Sequence, residues 1–331
     1  LNGDQKVGKF AVMTFRHVDD QSQAGTGIVG RLINLLKGWR SNVAVQTIGT
    51  VIFKGDAHEM GYILQLSDFI VKWDRLSPNR RRKKLLKYLG LLEELGIEMV
   101  CIPYYWSVLP EEVIEVMKKR FVVDSGYQMR IFALVESIKY LMGMLKDRVL
   151  DMEVGIWGAD TRVGRLFARV LAPYVNNMVL GGTSIDDLYE LADEVMRETG
   201  LACPVTTDAG ECLKDKRLVV VAEECDFSLL SSHAIVVYAG EIDLKYIEAM
   251  KRHPGPFWIL SGWATLPDEV KADIELLPWE TLGVLQALSL MGEEIREMNR
   301  ILDTLKMRGF ISPEGGITYN TFRIRHFRKR T

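Results

Sequence analysis

The sequence predicts a two-domain α/β chain, an N-terminal α/β domain followed by a doubly wound nucleotide-binding domain. Three observations predict it. Short apolar runs alternate with segments of helical periodicity. Near the middle of the chain a strand runs into a glycine turn that opens a helix. Finally, 331 residues at 48% hydrophobic and 26% charged suffice for two cores and exclude a disordered or fibrous chain.

From Lys9 the run Phe-Ala-Val-Met-Thr-Phe reads as a strand, and Thr50 to Lys54 reads as another. Leu85, Leu86, Leu89, Leu92 and Leu95 space a helix over 81–95, which Gly96 stops. Glu98 to Tyr104 is nearly all apolar, as in a strand covered on both faces, and Pro110 with Glu111 and Glu112 opens the next helix. A long helix over 128–147 carries Ile131, Leu134, Val135, Ile138, Leu141 and Met142. Then come strand 152–157, helix 162–173, strand 177–180, helix 184–199 and strands 203–206, 217–222, 234–239 and 256–260. Such a βαβ series with right-handed crossovers gives a parallel sheet. Helices over 278–291 and 293–308 close the chain. The expected division is an N-terminal domain over 1–127, a linking helix over 128–150 and a nucleotide-binding domain over 151–277. Closing helices that pack back on the first domain are expected over 278–320, and a basic tail over 321–331.

The net charge of −2 hides an asymmetry. Residues 1–150 hold 22 Lys and Arg against 16 Asp and Glu, whereas 151–331 hold 20 against 28. The acidic second half argues against a nucleic-acid partner. Four cysteines (Cys101, Cys203, Cys212, Cys225) show neither a CxxC pair nor zinc-ligand spacing with histidine, so no metal is expected and a reducing cytoplasm is. No apolar run reaches the ~18 residues of a membrane span, and the first residues lack a signal-peptide core. The start without Met suggests a trimmed one, and a homo-oligomer is the expected state.

The most informative stretch is Val154 to Arg165, Val-Gly-Ile-Trp-Gly-Ala-Asp-Thr-Arg-Val-Gly-Arg. A strand ends at Gly158, and Gly164 lies in the first turn of a helix whose free N–H groups suit a pyrophosphate. Gly158 and Ala159 let the backbone approach the phosphates, and Gly164 lets the helix pack against the strand, the pattern of a Rossmann-like turn. Asp160 and Thr161 depart from GxGxxG at its middle, and an acid there is awkward beside a pyrophosphate. The next strand ends Val179-Leu180-Gly181-Gly182-Thr183-Ser184, without the acid typical of NAD sites. That hydroxyl-bearing end, with Arg162, favours NADP, with NAD the alternative. The expected cofactor contacts are Gly158, Ala159, Thr161, Arg162, Val163, Gly164, Thr183, Ser184 and Ala222. Asp186 and Asp187 read as dipole and capping partners of the helix that Ser184 starts.

The order of "EELGIEMVCIPYYWSV", "VVDSGYQMRIFALVESI", "GIWGADTRVGRLFARVL", "ILSGWATLPDEV" and "WETLGVLQALSLMGE" resembles the long-chain acyl-[acyl-carrier-protein] reductases of cyanobacteria and the related amino-acid and shikimate-type dehydrogenases. The resemblance covers roughly 45–310. It implies an NADP-linked oxidoreductase acting on a small or carrier-bound carbonyl compound. The family's Thr/Ser-Gly-Asn-Ser/Thr turn is matched by Asp124-Ser125-Gly126-Tyr127, with Tyr127 in place of Asn, so Ser125 and Tyr127 become the candidate catalytic residues. The family's nucleophilic cysteine falls at Gly283 and a nearby acid at Gln286, so the thioester step does not carry over. Direct hydride transfer, or a catalytically silent relative used for sensing or assembly, remains.

Of the cysteines, Cys225 is on the ligand side of the sheet, but Glu223, Glu224 and Asp226 suppress its thiolate. His17, beside Asp19 and Asp20, reads either as a general base or as a loop residue. Basic residues cluster at Arg80, Arg81, Arg82, Lys83 and Lys84 and again over Arg323–Arg330. The resemblance implies docking of an acidic carrier protein there; RNA, a membrane surface or a solvated charge run are the alternatives.

Overall fold

The computed structural model describes residues 8–15, 45–54, 58–145, 150–253, 255–291 and 305–327. Along the chain the strands are β1 (Lys9–Thr14), β2 (Gln46–Phe53), β3 (His58–Gln65), β4 (Ile97–Cys101), β5 (Val122–Asp124), β6 (Glu153–Trp157), β7 (Asn177–Gly181) and β8 (Val205–Thr206). They continue as β9 (Leu218–Val221), β10 (Ile235–Tyr238), β11 (Phe257–Ile259), β12 (Ser261–Ala264), β13 (Val270–Ala272), β14 (Met307–Ser312) and β15 (Gly315–Thr318). The chain divides into two compact units, one of Leu1–Met129 with Thr265–Lys306 and one of Arg130–Ala264 with Met307–Thr331.

The first unit holds a six-stranded sheet in the order β13-β2-β3-β1-β4-β5. Its strands β3, β1, β4 and β5 run parallel, while β2 is antiparallel to β3 and to β13. One face is covered by Leu85, Tyr88, Leu89 and Leu92 of the helix Pro78–Glu94 together with Val113, Ile114 and Met117 of the helix Glu111–Lys118. The other face, with Phe10, Val12, Met99 and Cys101, packs on Val284, Ala287 and Leu288 of the helix Pro278–Met291. Both faces are therefore apolar, which is why β1 and β4 show no alternation.

The second unit holds a fully parallel sheet in the order β11-β10-β9-β6-β7-β8. Counted from β6 as the unit's first strand, this is 6-5-4-1-2-3, the doubly wound order whose switch point falls between β6 and β9. All four residues of β9 are buried. The helices Arg162–Leu171 and Ile185–Thr199 cover the sheet with Phe167, Ala168 and Leu171 and with Leu188, Leu191 and Val195. Arg130, buried to 4% exposure, donates to the carbonyls of Tyr238 (3.1 Å), Leu260 (3.0 Å), Ala239 (3.1 Å) and Gly240. A buried guanidinium is tolerated only when its donors are satisfied, and these carbonyls tie the C-terminal ends of β10 and β11 together.

Several elements differ from the sequence reading. Strand β3, the central neighbour of β1 and β2, had no alternating signal because Met60, Ile63 and Leu64 are all buried. The helix Leu244–Arg252 and the short helix Ala209–Leu213 were also missed. Of the helix expected over 293–308, residues 293–304 lie outside the described residues, and from Met307 the chain is strand β14, turned at Pro313 and Glu314 into β15 and paired with β12. The expected boundaries shift too: 265–277 group with the first unit, and 307–320 with the second. Nor is 321–331 wholly a tail, because Phe322 of the helix Tyr319–Phe327 is fully buried against Phe257 and Phe310, with ring centroids 4.8 and 5.0 Å apart.

Candidate functional site

In the second unit the site forms where β6 ends. Gly158 has φ +78, a conformation that L side chains rarely adopt, and a β-carbon there would lie 2.9 Å from the Glu223 backbone nitrogen. The chain then turns through Ala159 and Asp160 to Thr161, the cap of the helix Arg162–Leu171. The Thr161 hydroxyl accepts from Gly164 N–H (3.0 Å) and donates to Gly158 O (2.6 Å). A β-carbon on Gly164 would stand 2.0 Å from Gly158 O, so the helix meets the turn backbone to backbone. With Gly164 N–H engaged, Arg162 and Val163 present the first-turn N–H groups that lack an intrahelical acceptor. Ala159 is fully buried, and its N–H donates to Gly181 O (2.8 Å), so it shapes the turn and has no donor left for a ligand.

Asp160 is where the sequence reading is corrected. Its carboxylate does not face the helix that begins at Arg162; one oxygen, Oδ2, accepts from Thr183 N–H (2.8 Å), the Thr183 hydroxyl (3.0 Å) and Ser184 N–H (2.8 Å). It thus caps the helix Ile185–Thr199, whose own cap residue Ser184 makes no side-chain capping bond. The capping role expected of Asp186 and Asp187 falls to Asp160, and Asp187 instead pairs with Arg165 (3.1 Å), which also meets Glu190 (2.9 Å). Oδ1 of Asp160 is buried without a hydrogen-bond partner among the described residues. Across the switch point, Ala222 N–H donates to Trp157 O (2.9 Å), and Glu223 follows it. Burial, and then the charge of Asp160, hold the Glu223 carboxyl above its usual range.

None of the four thiols is activated. Burial pushes Cys225 up to about 12, with Asp226, Cys212 and Glu224 adding to it, and pushes Cys212 to about 12 and Cys203 to about 11. Cys101 is raised well above the usual thiol range by burial and then by Asp124. The suppression expected for Cys225 from its carboxylates is present, but desolvation is its larger cause.

In the first unit, Ser125 and Tyr127 follow β5, both half-buried, and Asp124 Oδ1 accepts from Gly126 N–H (2.6 Å). Beside this turn lies a residue the sequence did not flag. Tyr104, after β4, holds φ +69, an uncommon state for a bulky residue, with its ring 4.7 Å from that of Trp279. Gly283 is tightly packed: a β-carbon would lie 2.7 Å from Val12 Cγ1 and 2.8 Å from Pro103 Cγ. Gln286, buried to 1% exposure, accepts from Met129 N–H (2.8 Å) and so satisfies a donor at the start of the helix Tyr127–Leu145.

His17 and Arg328–Arg330 lie outside the described residues. In the helix Pro78–Glu94, Arg80, Arg82 and Lys83 are exposed, while Arg81 bonds Leu76 O (2.9 Å) and lies over the Trp73 ring (5.6 Å). Among the described residues, no group of three or more His, Cys, Asp or Glu could hold a metal, and no helix is long and apolar enough to cross a membrane.

No protein-family model matches the sequence, and no curated protein sequence does. Among solved structures, L-tryptophan dehydrogenase from Nostoc punctiforme is similar at 12% identity and TM-score 0.37 over 91% of this chain and 82% of that one. Quinate dehydrogenase from Corynebacterium glutamicum, in complex with NAD, is similar at 11% identity and TM-score 0.34 over 90% and 98%. Δ1-Pyrroline-2-carboxylate reductase from Thermococcus litoralis, in complex with NADH and L-proline, is similar at 12% identity and TM-score 0.30; the alignment covers 38% of this chain and 41% of that one. The fold assignment rests on the strand order and the turn, not on these likenesses.

Proposed function

We propose that the chain is a nicotinamide-dinucleotide-linked oxidoreductase acting on a small or carrier-bound carbonyl compound, without a covalent thioester. The observation that supports it is the glycine turn Gly158–Gly164 at the switch point of a 6-5-4-1-2-3 parallel sheet, where doubly wound folds bind dinucleotides. The turn fits such a group: the N–H groups of Arg162 and Val163 and the positive end of their helix suit a pyrophosphate, and the Asp160 carboxylate is engaged at the neighbouring helix. When bound, the cofactor supplies a hydride for the carbonyl carbon. Ser125 and Tyr127 are the proposed donors to the carbonyl oxygen, which they polarise by hydrogen bonding. With Gly283 at the position of the family's nucleophile and every cysteine thiol suppressed, nothing supports an acyl-enzyme. For a carrier-bound substrate, the exposed Arg80, Arg82 and Lys83 are the proposed docking charges, an attraction that weakens with salt.

Glu223 favours a second reading, a silent relative, because its side chain packs against Gly158 at the turn, and a carboxylate carried there repels phosphate when ionised. Titration calorimetry with NADH, NADPH and a buffer blank separates the two. Saturable heat with either dinucleotide, abolished in Gly164→Val, supports the oxidoreductase; no heat and no thermal shift on folded protein supports the silent relative.

A further inference from the structure

We infer that Asp160 is a specificity-determining residue that excludes a 2′-phosphate, so that the site prefers NAD(H) to NADP(H). The inference rests on the dinucleotide reading above and reverses the cofactor preference drawn from the hydroxyl-bearing end of β7.

In a doubly wound fold the adenine ribose reaches the end of the second strand, here β7, and an acid at that place accepts from the ribose 2′-hydroxyl in NAD sites. No acid stands directly after β7, where the sequence runs Gly182-Thr183-Ser184; Asp186 and Asp187 come later, in the first turn of the next helix. The structure supplies one from the preceding crossover. Asp160, two residues after Gly158, sets its carboxylate against Gly182, where a β-carbon would stand 2.1 Å from Oδ1. Oδ2 engages Thr183 N–H, the Thr183 hydroxyl and Ser184 N–H. These are the strand-end donors that a 2′-phosphate would need. A carboxylate therefore already occupies that anion position, tethered to the chain.

Two effects oppose a 2′-phosphate. Its negative charge would meet a carboxylate within contact distance, and it would find the three donors taken. NAD(H) has no charge there and meets neither penalty. Helix capping alone does not require an anion, since neutral Ser or Asn caps about as well as Asp. The ionised group is what gives the position its discrimination.

The test is the ratio of NADH to NADPH affinity, measured by calorimetry on wild type, Asp160→Asn and Asp160→Gly. Asn keeps the size and one amide oxygen as a cap; Gly frees all three donors. Wild type is expected to bind NADH at least about tenfold more tightly than NADPH, the order for one like-charge contact with lost donors. The ratio should fall toward one in Asp160→Asn and invert in Asp160→Gly. A purely structural cap would weaken both nucleotides together and leave the ratio unmoved, and that result overturns the inference while the dinucleotide reading stands. Equal or tighter binding of NADPH by wild type does the same. No binding of either nucleotide by any of the three folded proteins overturns the dinucleotide reading, and the inference with it.

Discussion

Gly164 and Gly283 both lie in helices and neither has room for a β-carbon, but what crowds them differs. At Gly164 the obstacle is backbone, Gly158 O at 2.0 Å and Ala159 Cα at 2.7 Å, atoms of the turn itself. At Gly283 the obstacles are the Val12 and Pro103 side chains, at 2.7 and 2.8 Å. The first close approach seats the helix Arg162–Leu171 on the turn proposed to hold a dinucleotide, whereas the second closes the helix Pro278–Met291 onto β1 and the segment after β4. At Gly164 the crowding partner is the turn's own main chain, the geometry a proposed binding turn requires. A buried glycine facing side chains marks packing.

The larger penalty is expected at Gly164. Gly164→Val has no rotamer that avoids Gly158 O, so it should destabilise the second unit by about 3 kcal/mol and abolish dinucleotide binding. Calorimetry together with thermal melting checks this. A variant that melts like wild type and still binds would show that the helix and the turn can separate freely.

Gly283→Cys should be milder, costing about 1–3 kcal/mol, because the Val12 and Pro103 side chains can yield where a carbonyl cannot. No acyl adduct should appear in its intact mass after incubation with an acyl thioester, since a thiol there is buried and crowded. A stoichiometric adduct would mean that the position is open to substrate, and the contrast between the two glycines would fail.

The smallest effect sharpens the charge around the turn. Glu223 holds its proton more tightly folded than unfolded, through burial and then the charge of Asp160. The stability linked to it is present below the usual glutamate range and is lost as pH rises through the raised value. Glu223→Gln should therefore lose less stability than wild type as pH climbs through that window, read as melting temperature against pH. The same variant should bind NADH a few times more tightly at neutral pH, because one carboxylate near the phosphates is gone. Parallel pH profiles for the two proteins would remove Glu223 from the account.

Much of the second unit was legible in the sequence. Strands β6, β7, β9 and β10 are short apolar runs separated by turn signals, and the helices Arg162–Leu171 and Ile185–Thr199 have local apolar periodicity, so each announces itself within a dozen residues. Gly158 and Gly164 were readable for the same reason, because the turn they make is local. Strand β3 was not, since its identity comes from neighbours on both sides, β1 in parallel and β2 antiparallel. Strand β14 was not legible either: only its first two residues fell in the helix expected over 293–308, and its partner β12 lies far back in the chain.

The α/β class and the turn with Gly158 and Gly164 were thus legible from the residues alone. Each follows from residue type and short-range spacing, which act through local backbone geometry. Where the Asp160 carboxylate points, that Gly283 is crowded by Val12 and Pro103, and that Phe322 is core and not tail emerge only in the folded chain. Those outcomes depend on partners 12 or more residues away, such as Phe310 for Phe322, Thr183 for Asp160 and Val12 for Gly283. A side chain's role there is set by which donors, rings or main-chain atoms the fold brings to it, and no local pattern encodes that choice.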